Sequence, residues 1–367
     1  MLRTGLKACG AGMFLVMALI MVLPSPAEAQ GESAVPFLLI APNSRASGIG
    51  ESGTATVDDA SAIFWNPAGL AFQRGYEVSI THASWLPQFQ QADLFYDYLN
   101  YRQRIDEIGG TIGASVTYLN LGEFIRTSSS GPDEIGRFKA FEFAVTAGYA
   151  TTVFDDLGLG MNLRYIHSSL SPIGTEQEQG SGVASTVSFD IAAMYRPQTD
   201  DAWGRFSAGI NLSNIGPKVT YIDAAQADPL PTNLRLGLGY KLLDDEFNEL
   251  TASLDFLRLL VNRDSTGASD PVYEAIFSSW GDGSGLNKVN TSGGIEYWYG
   301  APRLLALRLG YFYEDPSFGN RQFLTFGAGI RFDIYGFDFS YISAEENHPL
   351  SDTIRFSLLI AWGAGEE

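Results

Sequence analysis

From Leu159 the chain alternates: Leu159, Met161, Leu163 and Tyr165 are separated by Gly160, Asn162 and Arg164. A two-residue period sends successive side chains to opposite faces of a strand. The same period sets Phe141, Phe143, Val145, Ala147 and Tyr149 against Glu142, Ala144, Thr146 and Gly148. It sets Leu234, Leu236, Leu238 and Tyr240 against Arg235, Gly237 and Gly239, and Leu305, Leu307, Leu309, Tyr311 and Tyr313 against Ala306, Arg308 and Gly310. Ile354, Phe356, Leu358, Ile360 and Trp362 close the pattern. One face is thus large and apolar, the other small or polar. Such runs between Gly75 and Trp362 predict about fourteen strands, an even number suited to a transmembrane antiparallel barrel. Beyond residue 30 no run approaches the roughly 18 apolar residues of a membrane-spanning helix.

A soluble β-sandwich shares this period, so the connections decide. Leu121–Arg137, Ser168–Gly182, Ile215–Pro231 and Leu259–Lys288 read as long loops, whereas Arg102–Ile108, Thr151–Asp156, Pro197–Ala202, Lys241–Glu246 and Gly300–Pro302 read as tight turns. Alternating long and short connections are expected of an outer-membrane barrel with external loops and periplasmic turns. On that reading residues 75–363 are the barrel, residues 364–367 a periplasmic tail, and both termini are periplasmic. Tyr165, Tyr240, Tyr311, Tyr313 and Trp362 are candidates for the aromatic girdles.

Two segments ahead of the barrel break the pattern. Arg3 and Lys7, the apolar stretch Ala11–Leu23 and Ala27-Glu28-Ala29 have the form of a signal peptide over residues 1–29, placing the mature start at Gln30. Cys9, the single cysteine, lies before the apolar stretch, so its removal leaves neither disulfides nor thiol ligands. Residues 30–74 form the second segment. Around Arg45, Gly48 and Gly50 it is rich in glycine, and Asp58-Asp59-Ala-Ser-Ala-Ile-Phe64-Trp65 predicts a short helix capped by its aspartates. Asn66-Pro67-Ala-Gly69 then predicts a turn. Too short for a domain, this segment reads as a plug for the barrel mouth, with Phe64 and Trp65 against the inner wall.

Charge sharpens the picture. With 23 Lys+Arg against 42 Asp+Glu and a formal charge of −19, there is no basic footprint for nucleic acid. The chain has 17 Tyr, 24 Phe and 6 Trp, enough apolar surface to exclude disorder. Arg164, Arg196, Arg235, Arg308, Arg331 and Arg355 all fall on the small-residue face, with Glu142, Asp190, Asp255, Glu296 and Asp338. An Arg facing lipid at mid-bilayer would cost roughly 2–4 kcal/mol, so this face is the lumen. The simplest role for these charges is to hold the interior together.

The run Ala41-Pro-Asn-Ser-Arg-Ala-Ser-Gly-Ile-Gly50, followed by Asp58-Asp-Ala-Ser-Ala-Ile-Phe-Trp-Asn-Pro-Ala-Gly-Leu70, resembles the N-terminal hallmark of the PorV/PorQ family. It is more loosely similar to that of outer-membrane long-chain fatty-acid transporters. Asn211-Leu-Ser-Asn-Ile-Gly-Pro-Lys-Val-Thr-Tyr-Ile-Asp223, Asp228-Pro-Leu-Pro-Thr-Asn-Leu-Arg-Leu-Gly237, Leu254-Asp-Phe-Leu-Arg-Leu-Leu-Val261, Ala275-Ile-Phe-Ser-Ser-Trp280 and Gly319-Asn-Arg-Gln-Phe323 favour the PorV branch. The resemblance implies a fourteen-stranded barrel with an N-terminal hatch, serving type IX protein secretion without enzymatic activity or cofactor. Its implied partners are a large outer-membrane secretion pore, cargo bound through a C-terminal signal domain, a surface attachment complex and outer-membrane lipid.

Other chemistry is sparse. Where the family tends to place a Thr-Pro-Trp-Leu element, this chain has Thr81-His82-Ala83-Ser84-Trp85-Leu86. His82 and Ser84 share a strand face, as in outer-membrane phospholipases, but the sequence offers no third group to orient the base. His167-Ser168-Ser169 repeats the spacing, and His348 stands alone in a loop. The acidic pairs Asp133-Glu134, Glu314-Asp315 and Glu345-Glu346 could offer oxygen donors to Ca²⁺ but lack EF-hand spacing, so they read as solvated surface and no metal site is assigned. There is no P-loop, H-E-x-x-H or G-x-S-x-G. In the longest loop, Tyr273, Ile276, Phe277 and Trp280 are spaced to share a helical face. They are candidate anchors for a protein partner, with Lys218 and Tyr221 in the preceding long loop as weaker ones, or else a cap folded onto the lumen. A channel for hydrophobic small molecules is the alternative function, with Gly109, Gly110 and Gly113 on the third strand marking a possible wall kink.

Overall fold

Alternation with small residues on one face lets a sheet close around a filled interior, and the computed structural model shows that closure. It describes residues 33–89, 93–128, 131–172, 181–199, 201–223, 226–263, 268–281, 285–345 and 348–363. The expected signal peptide, the start of the plug segment at 30–32, the tail 364–367 and Glu346 lie outside them. The strands are β1 Tyr76–Ser84, β2 Phe95–Ile105, β3 Gly110–Ser128, β4 Gly131–Phe154, β5 Leu157–Ser171, β6 Gly182–Tyr195 and β7 Phe206–Ile215. They continue as β8 Asn233–Asp244, β9 Asn248–Leu259, β10 Val289–Tyr299, β11 Leu305–Tyr313, β12 Gln322–Phe332, β13 Tyr335–Ala344 and β14 Ile354–Trp362. Each pairs antiparallel with its sequence neighbours, and β1 pairs with β14 to close a fourteen-stranded barrel.

Facing follows the sequence parity. Leu307 is 64% exposed and Tyr311 42%, whereas Ala306 is 2% and Arg308 4% exposed. An apolar outside around a polar inside inverts a soluble fold and suits a bilayer. Tyr165, Tyr240, Tyr311, Tyr313 and Trp362 all face outward, and Trp362 stacks on Tyr76 at 5.4 Å across the β1–β14 seam. Because the strand number is even, the chain enters β1 and leaves β14 at the same end, the turn end; the longer connections lie at the opposite, loop end.

Two expectations fail. Leu121–Arg137 is not a loop: β3 and β4 carry on as a projecting hairpin, with register shifts after Asn120 and near the tip. Phe124 stacks on Phe138 at 5.6 Å, and Glu123 bonds Arg137 at 3.1 Å, which supports the extension. Nor does Gly109–Gly113 open the wall. The β2–β3 register runs unbroken from Phe95–Asn120 to Ile105–Gly110, and β3 pairs with β4 from Thr111. The side-chain space Gly113 leaves free is taken by Ile63 and Leu70 of the N-terminal segment.

Candidate functional site

Residues 34–72 lie inside the barrel and are mostly buried, so their backbone polar groups need partners from the wall or from the segment itself. The segment contains two single-turn helices, α1 (Ser44–Ser47) and α2 (Ala62–Trp65), and a 3-10 stretch at Pro67–Phe72. The helix begins later than Asp58. Asp59 Oδ1 instead accepts the Ser61 N–H at 2.9 Å just ahead of α2, while Asp58 binds Arg45 and Arg303. The expected Asn66–Gly69 turn is the start of the 3-10 stretch, capped by Asn66 accepting the Ala68 N–H.

Small wall residues let this backbone in. A Cβ on Gly310 would fall on Gly50 N and Ile49 C, and one on Gly160 would fall on Ala68 N and Pro67 C. Gly48 similarly lies against Gly327, and Gly69 against Val57. Gly50 itself has φ +76, which a residue with a Cβ adopts only under strain. Polar wall residues then bond the plug. Asp255 accepts from Gly53 N (2.9 Å), Thr54 N (3.0 Å) and Thr54 Oγ1 (2.6 Å). Asn162 donates to Ile63 O at 2.7 Å, Asn211 to Trp65 O at 3.1 Å, and Thr325 Oγ1 accepts from Gly50 N at 2.8 Å. Trp65, fully buried, donates to Asn43 Oδ1 at 2.8 Å, and the half-buried Phe64 meets it edge-on. Sequence reading missed Asn162, Asn211 and Thr325; polar amides and hydroxyls at lumen parity were the signal.

The lumen charges divide by function. Arg45 gives two bonds to Glu296, at 2.8 and 2.7 Å, and also binds Asp58 and Asp59. Glu296 accepts from Arg308 at 2.7 Å, Arg308 reaches Asp338 at 2.8 Å, and Asp338 also holds Arg331 at 2.7 Å. Arg164 pairs with Asp190 at 2.8 Å. The rest depart from simple neighbour pairing. Asp255 is occupied by the plug, so Arg235 stacks over Trp65 at 5.0 Å. Arg196 reaches Val57 O at 3.3 Å and stacks on Phe72 at 5.4 Å, Glu142 accepts from Ser168 at 2.7 Å, and Arg355 stands 4.0 Å from Glu51.

Above the plug, at the loop end, an apolar cavity of about 820 Å³ is lined by Val35, Phe37, Leu119, Leu170, Phe323 and Leu350, with Glu51 and Arg321 among its polar groups. Glu314 holds Arg321 through two bonds of 2.8 Å. His348 lines the same cavity; burial, then the nearby Arg321, lowers its pKa, and its Nδ1 accepts the Leu350 N–H at 3.1 Å. Tyr221 is turned into the mouth, donating to Ser168 Oγ at 2.9 Å, and Lys218 bonds the Ser269 carbonyl, so neither is the free anchor expected. The loop between β9 and β10 does form a helix, α3 (Val272–Ser278). Ala275 is its buried contact, while Tyr273 and Phe277 are 66% and 78% exposed. Trp280, just beyond, stacks on Arg258 at 4.4 Å.

His82 and Ser84 lie on the outer face. The third group missed by sequence is Asp97, which lies opposite on β2 and whose Oδ1 is 2.7 Å from His82 Nδ1. Ser84 makes no hydrogen bond to His82 among the described residues.

The model of a family described as type IX secretion system protein PorV matches residues 27–266. No curated protein matches. Among solved structures, the Ralstonia pickettii toluene transporter TbuX superposes with a TM-score of 0.51 at 14% identity, covering 88% of this chain and 98% of that one. The Pseudomonas putida toluene transporter TodX gives 0.52 at 14% identity, covering 91% and 98%. At such identities these likenesses concern the barrel fold alone. The family match spans well over half of the chain and both sides of the plug-to-barrel boundary: this protein belongs to the PorV family of type IX secretion system components.

Proposed function

We propose that this barrel is a non-enzymatic outer-membrane component of type IX secretion. It associates with the secretion pore, binds the C-terminal signal domain of cargo, and passes cargo to the surface attachment machinery. Its loop end faces the cell exterior and its termini the periplasm. The observation that carries this reading is α3, a short helix that leaves Tyr273 and Phe277 exposed instead of folding them onto the lumen. Exposed aromatic anchors are what a protein interface uses, each worth about 2 kcal/mol or more once desolvated. The plug occupies the middle of the lumen, so work on a folded partner falls to the rim. The absence of a Ser84–His82 bond favours a structural His82–Asp97 pair over a nucleophile.

The test is a secretion assay on Tyr273→Ala/Phe277→Ala/Trp280→Ala beside His82→Ala/Ser84→Ala. Secretion is expected to fail in the first and persist in the second. The 820 Å³ apolar cavity favours a second reading, a site or channel for hydrophobic small molecules. Normal secretion in both variants, with impaired uptake of a hydrophobic solute, would replace the first reading with this one.

A further inference from the structure

Asn211-Leu-Ser-Asn214-Ile-Gly216-Pro217 has a structural task that barrel closure alone does not explain. Asn214 has φ +60, held by its N–H on Asp190 Oδ1 at 2.8 Å, by its side-chain amide on the Pro231 carbonyl at 3.2 Å, and by Thr232 donating to its carbonyl at 2.8 Å. Beyond it the chain turns inward, and Val219 and Leu230 are buried in the mouth. Gly216 passes so close to the Val187 carbonyl that a Cβ would collide with it. The β6–β7 ladder therefore ends at Phe189–Ile215, although β6 stays paired with β5 up to Gly182.

Val183–Thr186 is consequently a strand edge: among the described residues nothing pairs with the side that faces β7. The Val187 carbonyl points that way and is met by Gly216, which closes the edge at Val187 and Ser188. In an antiparallel strand the N–H and C=O of one residue point to the same side, so Val183 and Ser185 present theirs alike. The opposite edge of the projecting sheet, β3 beyond Asn120, is protected by Gly122 at φ +82, Glu123 and Arg126. Positive-φ kinks and charges are the usual defences of an edge. Val183-Ala-Ser-Thr186 has none: no charge, no proline, no positive φ.

We propose that Val183–Thr186 is an acceptor edge, to which an extended, uncharged segment of the cargo signal domain adds as a further strand of the projecting sheet. Cargo as the source rests on the secretion reading; the edge rests on the backbone alone. An extended backbone matches a row of alternating donors and acceptors in spacing and direction, which is why the occupant is an extended polypeptide.

The test places a photo-crosslinking amino acid at Val187 in the full chain, in cells exporting tagged cargo, with a second probe at Glu123. Cargo adducts are expected at Val187 and not at Glu123. Adding Val183→Pro, which removes one edge N–H without touching the β5 ladder, should lower the Val187 adduct at least tenfold. Val183→Thr keeps the N–H and should leave it unchanged. Heat-modifiable gel mobility checks that each barrel is folded. A second arm measures binding of a fluorescent Val/Thr-alternating peptide to the purified barrel in detergent. Peptide binding lost in Val183→Pro, without a cargo adduct, keeps the edge and removes cargo as its occupant. Cargo adducts confined to α3, with no peptide binding, overturn the edge and leave the secretion reading standing.

Discussion

Replacing Arg45 by Ala should loosen the plug while leaving the barrel closed. The guanidinium joins α1 to the wall through Glu296 on β10 and to the plug's own Asp58 and Asp59. Removing one partner of a buried ion pair costs roughly 3–5 kcal/mol, because the other charge is left without compensation. Here the losses are cushioned: Glu296 keeps Arg308 at 2.7 Å, and Asp58 keeps Arg303 at 3.0 Å. The low end, about 3 kcal/mol, is therefore expected, which is about a hundredfold in the population of plug-released molecules. Amide hydrogen exchange of Ala46–Trp65 reads this directly, and single-channel conductance should rise in brief openings. Arg331→Ala is the control, since it removes a charge from Asp338 without touching the plug. Plug exchange that is unchanged in Arg45→Ala, or equally raised in Arg331→Ala, would refute the assignment of Arg45 as the latch.

Two further outcomes follow from the same geometry. Gly310→Ala puts a methyl group onto the backbone at Ile49 and Gly50, an overpacking cost of about 1–3 kcal/mol or more; a red shift of the Trp65 contribution to emission should accompany plug displacement, and an unshifted spectrum would contradict the close approach. His348 is held below the usual imidazole value of about 6.5; the unfolded loop thus takes up a proton more readily than the folded one, so the stability this group contributes is present above that value and is lost as pH falls below it. Since protonation also removes the Nδ1 acceptor of Leu350 N, protection at Leu350–Thr353 relative to the intrinsic exchange rate should fall as pH drops below the usual imidazole value, and His348→Asn should flatten that dependence.

The barrel was legible because its information is local. A period of two, read at Leu305–Tyr313, assigns facing without knowledge of any neighbour, and lumen arginines such as Arg164 and Arg308 reveal the polar side by the cost of placing them elsewhere. What resisted reading was set by contacts distant in sequence. Arg235 and Asp255 lie on adjacent strands at matching parity, yet the carboxylate is claimed by Gly53 and Thr54, about two hundred residues earlier. Leu121–Arg137 looked like a loop because Gly122, Ser128 and Pro132 interrupt the alternation; a two-stranded ribbon above the membrane tolerates such breaks since neither face is fully buried. Tyr221 looked like a free anchor, and its burial depends on the inward turn at Asn214, which no hydrophobic period announces. Asp97 was missed for the same reason: its meeting with His82 depends on the β1–β2 register.

Loop and plug are also linked by strand connectivity. The chain runs up β9 through Asp255, makes the loop that contains α3, and returns down β10 through Glu296. The strands flanking the exposed aromatics therefore each carry a carboxylate that grips the plug, at Thr54 and Arg45 respectively. Asp255 lies four residues before the end of β9, about 13 Å at the usual rise per residue. Reversing a 99:1 preference for the plugged state takes about 5.5 kcal/mol of differential affinity, more than the Arg45 latch alone and within reach of an interface anchored by several aromatics. A partner docked on α3 that shifts β9 against β10 should accordingly speed exchange in Gly53–Asp58, and Arg45→Ala should need less partner for the same effect. Exchange in that segment that ignores saturating partner, in both proteins, would mean that the rim binds while the plug stays in place.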